Sequence, residues 1–414
     1  MQKINYPPRP LRFELELTTS CMNRCKICGD VLIRTKGVYM KRWKEIVDKI
    51  VSETYNTKYS CSIRLTGGEP TLHPDFFEIV EYIDRLGIEH GLFTTGCWDH
   101  LDAEKLLNTY NKCNNFSNFL ISLHGATPAV HTEFTRREGS FEEACKYIEL
   151  ASDNGLSVVT NTVLTSHSVN QIEEIVELSE SLGAQASLFE RLFAQDDDIL
   201  EPNQTQLINS LKLVTKLRQQ GKNCITAMCL PRCLDESVKD TLKSGFEIAT
   251  ISTLGQVRPS NLTSYSYGNI LQEGSTIEDI WSSSQAEKYR NMLKPQCLDC
   301  SELSICRGGL KFQTKNGTLS FDKNMGVEAY HQRPFDYNFN LSATILPNFQ
   351  LIPIDNKLLL ACHSSSIFVE NSALEIINDI QKMDKPIEFF KQKYNDEGLS
   401  FLAYLEMNHF VVLN

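Results

Sequence analysis

Cys21, Cys25 and Cys28 put three soft donors into one short stretch, "SCMNRCKICG". Three thiolates can hold three irons of a cubane and leave the fourth iron without a protein ligand, open to chelate another molecule. A zinc site is the competing reading, but it usually needs a fourth cysteine or histidine nearby. The surrounding "TTSCMNRCKICGDVLIRTKG" offers none. About forty residues on stands "GGEP", Gly67, Gly68, Glu69 and Pro70, two glycines that permit close backbone approach beside a carboxylate. A second thiol field follows at Cys297-x2-Cys300-x5-Cys306, with Cys229 and Cys233 of "CLPRC" upstream.

The elements that must position these groups are legible from periodicity. "LRFELELTT" alternates as a strand, and the first cysteine loop follows it directly. "KRWKEIVDKIVSE" spaces its apolar residues as a helix, "SIRLTGG" is a strand with a glycine turn, and "DFFEIVEYIDRLG" is a helix that Gly87 ends. "HGLFTTG", "FLISLHG", "LSVVTNTVLT" and "AQASLFERL" continue the alternation of strand and helix to about residue 200. Repeated βα units build a parallel sheet, and parallel sheets carry their chemistry at the carboxyl ends of the strands. About six units fit, which favours a partial (β/α)6 TIM-type barrel over a full eight-fold one. Residues 1–202 form this domain, residues 203–335 a loop-rich cysteine domain, and residues 336–414 a third.

Composition narrows the function classes. The chain has 414 residues, 41% hydrophobic and 22% charged, with a net charge of −11, which argues against an extended nucleic-acid or anionic-membrane surface. No apolar run is long enough for a membrane span or a signal core, so a cytoplasmic protein is expected. In that reducing compartment 14 cysteines point to metal rather than disulfides. The isolated Cys61, Cys97, Cys113, Cys145 and Cys362 read as small buried hydrophobes.

CxxxCxxC after the first strand, followed in register by GGEP, resembles the radical S-adenosylmethionine (SAM) superfamily. Ile27 stands where an aromatic is commoner. The resemblance implies a SAM-binding 4Fe–4S cluster on Cys21, Cys25 and Cys28, reductive cleavage of SAM to a 5′-deoxyadenosyl radical, and a reductant such as flavodoxin or ferredoxin. It also implies that Glu69, with Gly67, Gly68 and Pro70, meets the SAM ammonium, that Ile27 packs near the adenine, and that Ser122 of "ISLHG" touches SAM. Arg136 or Arg137 would meet the SAM carboxylate, and Arg191 ends the sixth strand; a surface ion pair is the alternative for each. No catalytic side chain is identified.

"CLDCSELSICRGGL" resembles the SPASM/twitch-type auxiliary-cluster segment, with Leu310 in place of its last cysteine. Ser244 and Ser260 replace the cysteines expected around "GQVRPS". One auxiliary iron–sulfur cluster on Cys297, Cys300 and Cys306, with Cys229 or Cys233 as fourth ligand, is therefore expected. A structural zinc ribbon of Cys229/Cys233 and Cys297/Cys300 is the alternative.

The tail reads as short strands, three helices and a closing strand, a winged-helix-like order. From Leu341 it holds five lysines, no arginine and nine acidic residues, the wrong sign for a phosphate backbone. It resembles the PqqD-like domain, or RiPP recognition element, which pairs a leader peptide with a sheet edge. The expectation is a maturase that modifies a ribosomally made precursor peptide by crosslink or epimerisation. Alternatives are a radical SAM dehydrogenase or isomerase of a small molecule or carbohydrate, and a non-catalytic SAM-binding or electron-transfer protein.

Overall fold

The computed structural model describes residues 6–25, 28, 37–54, 61–193, 200–235, 237–238, 242–298, 300, 302–313 and 319–322. Within 342–413 it describes 342–345, 350–354, 357–361, 366–370, 373–382, 385–386, 389–390, 392–394, 401–402, 405 and 411–413. The chain forms two compact units: one of residues 8–295 and 306–327, the other of 1–7, 296–305 and 328–414.

In the larger unit, strands and helices alternate as the apolar patterning predicts. β1 (Arg12–Thr18), β2 (Ser62–Gly67), β3 (Glu89–Thr94), β4 (Phe116–Ser122), β5 (Val158–Leu164) and β6 (Ala186–Arg191) lie side by side in chain order, all parallel. Between them run α1 (Trp43–Thr54), α2 (Phe76–Arg85), α3 (Ala103–Asn111), α4 (Pro128–Thr135), α5 (Ser140–Asp153) and α6 (Ile172–Ser181). In α2 the residues Phe76, Ile79, Val80 and Ile83 share one face, and all four are buried. Burying each contributes roughly 1.5–3 kcal/mol before chain entropy is charged. Gly87, at φ +74°, turns the chain out of this helix.

The sheet continues where the sequence pattern breaks up. After α7 (Gln204–Gln219), opened by a reciprocal Asn203–Gln206 capping box, β7 (Cys224–Thr226) pairs parallel to β6. On the opposite side β8 (Ile248–Ile251) pairs parallel to β1, followed antiparallel by β9 (Gln256–Arg258) and β10 (Gly268–Asn269). These strands have two to four residues, too few to show a period. α8 (Ile277–Trp281) and α9 (Ser284–Arg290) follow, with a short antiparallel pair β11 (Lys311–Gln313) and β12 (Leu319–Phe321); of α10 (Leu303–Cys306), only Cys306 belongs to this unit. Buried ion pairs Arg258–Glu16 and Arg307–Glu247 tie these later segments to the β1 side of the sheet.

In the smaller unit, β13 (Ser342–Ile345) pairs antiparallel with β17 (Lys385–Pro386) and with the closing β18 (Val411–Leu413). β14 (Gln350–Ile354), β15 (Lys357–Ala361) and β16 (Ser366–Glu370) form an antiparallel meander. α11 (Ala373–Lys382) contributes Ala373, Ile377 and Ile380 to a core with Leu358, Leu360, Val369, Phe390, Leu402 and Leu405, and Ile376 packs at its margin. Asn371, whose residue type and place just ahead of the apolar-periodic stretch suit a helix N-cap, lies outside the described residues. Among the described residues no helix is long and apolar enough to cross a membrane.

Candidate functional site

β1 ends at Thr18, and the backbone that leads into Cys21 is zipped to the turn after β2. Gly68 N–H donates to Thr18 O at 2.7 Å, and Glu69 N–H to Ser20 O at 2.8 Å. A Cβ on Gly67 would stand 2.4 Å from Thr18 O, and one on Gly68 would stand 2.2 Å from Ser20 O. Gly67 also sits at φ +126°, which side chains rarely adopt. Close approach is thus the reason for both glycines, and the chain approached is the cysteine loop's own lead-in.

The loop is held on its far side as well. Arg24 N–H donates to Thr135 O at 2.9 Å, at the end of α4, and Cys28 N–H to Cys25 O at 3.3 Å. Cys25 packs against Phe134, Val163, Leu192 and Leu200. The Cys25 thiol donates to Cys28 sulfur, which raises Cys25 well above an ordinary thiol and lowers Cys28. Burial pushes Cys21 up to about 12, with the Glu69 charge and the neighbouring Cys28 and Cys97 adding to it. Three crowded sulfurs beside a carboxylate carry more negative charge than their surroundings compensate when ionised, and a cationic metal cluster relieves that. The donor set therefore fits an iron–sulfur cluster. Ile27 lies outside the described residues.

Glu69 is fully buried and caps the short 3-10 turn Pro70–Leu72. Its Oε1 accepts from Thr71 Oγ1 at 2.7 Å, Thr94 Oγ1 at 2.8 Å and Thr71 N–H at 3.3 Å. Its Oε2 accepts from Thr95 Oγ1 at 2.7 Å, Thr95 N–H at 2.8 Å and Thr94 Oγ1 at 2.9 Å. Sequence reasoning passes over Thr71, Thr94 and Thr95, and the doublet "TT" at the end of the third strand is the signal that could have found two of them. An ammonium reaching Glu69 must replace one of these donors.

Ser122 ends β4, opposite Asn161 of β5. Arg136 follows α4 in the left-handed conformation (φ 53°) with its side chain exposed, next to the Thr135 carbonyl that holds Arg24. Arg137 is ion-paired with Glu143. Arg191 is buried and ion-paired with Asp322; its Nε donates to Met228 O at 2.8 Å and its Nη2 to Cys229 O at 3.5 Å. It fastens the "CLPRC" loop to the sheet. Behind the first cysteine loop, His124 and His131 stack at 5.6 Å. Burial holds His124 well below the ordinary imidazole range and lowers His131 to about 4.

The second thiol field is divided. Cys229, Cys233 and Cys306 belong to the larger unit, Cys297 and Cys300 to the smaller. Cys229 (φ 50°) and the run Arg307, Gly308, Gly309 after Cys306 are left-handed, and a Cβ on Gly309 would stand 3.2 Å from Pro231. Cys224, near this field in sequence, is buried in the core beside Val214 and Leu217. Of the isolated cysteines, Cys97 is buried, Cys61, Cys113 and Cys145 are half-buried, and Cys362 lies outside the described residues. A Cβ on Gly245 would lie 2.8 Å from Pro259, so the two turns that carry Ser244 and Ser260 meet there.

Residues 15–179 match the family profile described as the radical SAM superfamily. The chain is 24% identical over 321 residues to the antilisterial bacteriocin subtilosin biosynthesis protein AlbA of Bacillus subtilis, covering 70% of this chain and 65% of that protein. It is 25% identical to the AdoMet-dependent heme synthase of Methanosarcina barkeri, covering 71% and 89%. Streptococcus suis SuiB, solved bound to its precursor peptide SuiA, shares the fold with a TM-score of 0.59 at 17% identity, over 74% of this chain and 72% of that one. The α/β sheet of parallel strands with its cysteine loop after β1 thus carries a radical SAM domain, and the chain is an enzyme.

Proposed function

We propose that the protein reductively cleaves SAM and modifies a ribosomally synthesised peptide by hydrogen abstraction. The observation that carries this reading is the zipper between the lead-in to Cys21 and Gly68–Glu69, which ties three thiols to one buried carboxylate. Cys21, Cys25 and Cys28 would hold a 4Fe–4S cluster. When bound, that cluster supplies the electron for SAM cleavage to a 5′-deoxyadenosyl radical. Gly67 and Gly68 bring Glu69 to the loop, where its carboxylate takes the SAM ammonium. Ser122 and Arg136 stand at the ends of β4 and α4 as further SAM contacts, Pro70 follows Glu69 in the same turn, and Ile27 is assigned to the adenine on the family resemblance alone.

An auxiliary iron–sulfur cluster draws on Cys306 with Cys229 or Cys233; Cys297 and Cys300 are assigned to it on spacing alone. The acidic smaller unit serves as a winged-helix-like recognition domain, pairing the precursor's leader with a strand edge of its antiparallel sheets. A flavodoxin or ferredoxin in the cytoplasm supplies electrons. Similarity to a bacteriocin biosynthesis protein and to SuiB favours a peptide substrate. Similarity to a heme synthase supports a second reading, a small-molecule substrate.

Anaerobic incubation of reconstituted enzyme with SAM, dithionite and short peptides encoded beside its gene, read by mass spectrometry, tests both. Peptide-dependent product with 5′-deoxyadenosine is expected. SAM cleavage with every peptide unchanged, and a small molecule altered instead, would favour the second reading.

A further inference from the structure

Three hydroxyls hold the Glu69 carboxylate, and their protons are not equally committed. Thr94 Oγ1 already accepts from Trp98 Nε1–H at 3.0 Å and Gly96 N–H at 3.1 Å, so its own proton goes to Glu69. Thr95 Oγ1 accepts from Cys97 N–H at 3.2 Å, and its other possible acceptor is the weak Met22 thioether at 3.8 Å. Thr71 differs. Its Oγ1 lies 2.7 Å from Glu69 Oε1 and 3.2 Å from His100 Nε2.

The partner of the other ring nitrogen decides what His100 can do. Nδ1 lies 3.0 Å from Cys97 O, a carbonyl that only accepts, so Nδ1 carries the proton. In the neutral ring Nε2 is then an acceptor aimed at Thr71. A hydroxyl has one proton, and Glu69 and His100 compete for it. When Thr71 turns to His100, one lone pair on Glu69 Oε1 is opened to an incoming donor.

We propose that exposed His100 is a positioning residue: by drawing off the Thr71 proton it opens Glu69 to the ammonium of its ligand. This rests on the reading that Glu69 takes the SAM ammonium. Equilibrium binding of SAM to the anaerobically reconstituted holoenzyme tests it with two substitutions at one exposed position. In His100→Gln the amide oxygen can still accept from Thr71, and SAM should bind within about twofold of wild type. In His100→Arg every polar atom is a donor, so Thr71 must donate to Glu69. Binding should weaken about tenfold, the scale of one hydrogen bond to a charged group.

Thr71→Val removes the contested proton, so adding it to His100→Arg should restore affinity, which a merely structural role of His100 would not produce. Equal affinities of the Gln and Arg variants, whether high or low, would overturn the proposal. Failure of wild type to bind SAM would overturn the SAM reading and the proposal with it.

Discussion

The two thiol regions are built on opposite plans. The first is one loop at one strand end, gripped by hydrogen bonds donated by Gly68 and Glu69 N–H and by one that the Thr135 carbonyl accepts from Arg24, within a single compact unit. The second is dispersed: Cys229 and Cys306 stand at or beside left-handed turns of the larger unit, where buried Arg191 fastens the Cys229 loop, and Cys297 and Cys300 belong to the smaller unit. A contiguous motif on a strand end needs only a correctly made sheet. A dispersed one also needs the long connections to fold, so it depends on contacts between residues far apart in the chain.

The largest contrast should come from removing the first set. With Cys21, Cys25 and Cys28 all changed to Ala, production of 5′-deoxyadenosine should vanish while the chain stays folded, as anaerobic assay and circular dichroism would show. Wild-type rates in that variant would end the radical SAM reading of this loop. Next, two cubanes imply about eight irons per chain. A Cys229→Ala/Cys233→Ala/Cys306→Ala variant should fall to about four and still cleave SAM. About four irons and one zinc in wild type would instead establish a zinc site.

A smaller effect should follow from unfastening the second region without touching a thiol. Asp322→Ala leaves buried Arg191 without its carboxylate, which costs about 3–5 kcal/mol when one partner of a buried pair is lost. Chemical denaturation should register that loss. Arg191→Met/Asp322→Leu should recover much of it, because the pair is then replaced by packing.

The smallest effect concerns the histidines behind the first loop. His131 falls from 6.5 to about 4 because burial disfavours its charge. Between those values the unfolded chain binds a proton that the folded chain refuses, so stability is full above the window and drops as pH falls through it. By pH 5.5 His131 alone should cost about 1 kcal/mol relative to pH 7.5, with His124 adding in the same direction. Denaturation midpoints at the two pH values check this, and His131→Gln should reduce the difference.

Much of the larger unit is legible in the order of its residues. The alternation in "RFELELT" and the 3.6 period of "FFEIVEYIDR" reflect which faces must leave water, and β1 and α2 form accordingly. Cys21, Cys25, Cys28 and Gly67–Pro70 stand out because their spacing is itself the chemistry. Arg191 does not: a strand-end arginine looks the same in sequence whether it meets a ligand or a buried Asp322, 131 residues on.

The run of βα units and the three thiols that follow the first strand were set by residue order alone, because periodicity and short spacing are local properties of a chain. Folding in three dimensions was needed to join β8 to β1 and extend the sheet, and to grip Glu69 between Thr71, Thr94 and Thr95. The same packing gave Thr71 a second acceptor in His100. Each of these depends on hydrogen-bond partners brought together from different strands and turns, and a proton's destination is set by the geometry of all its acceptors at once.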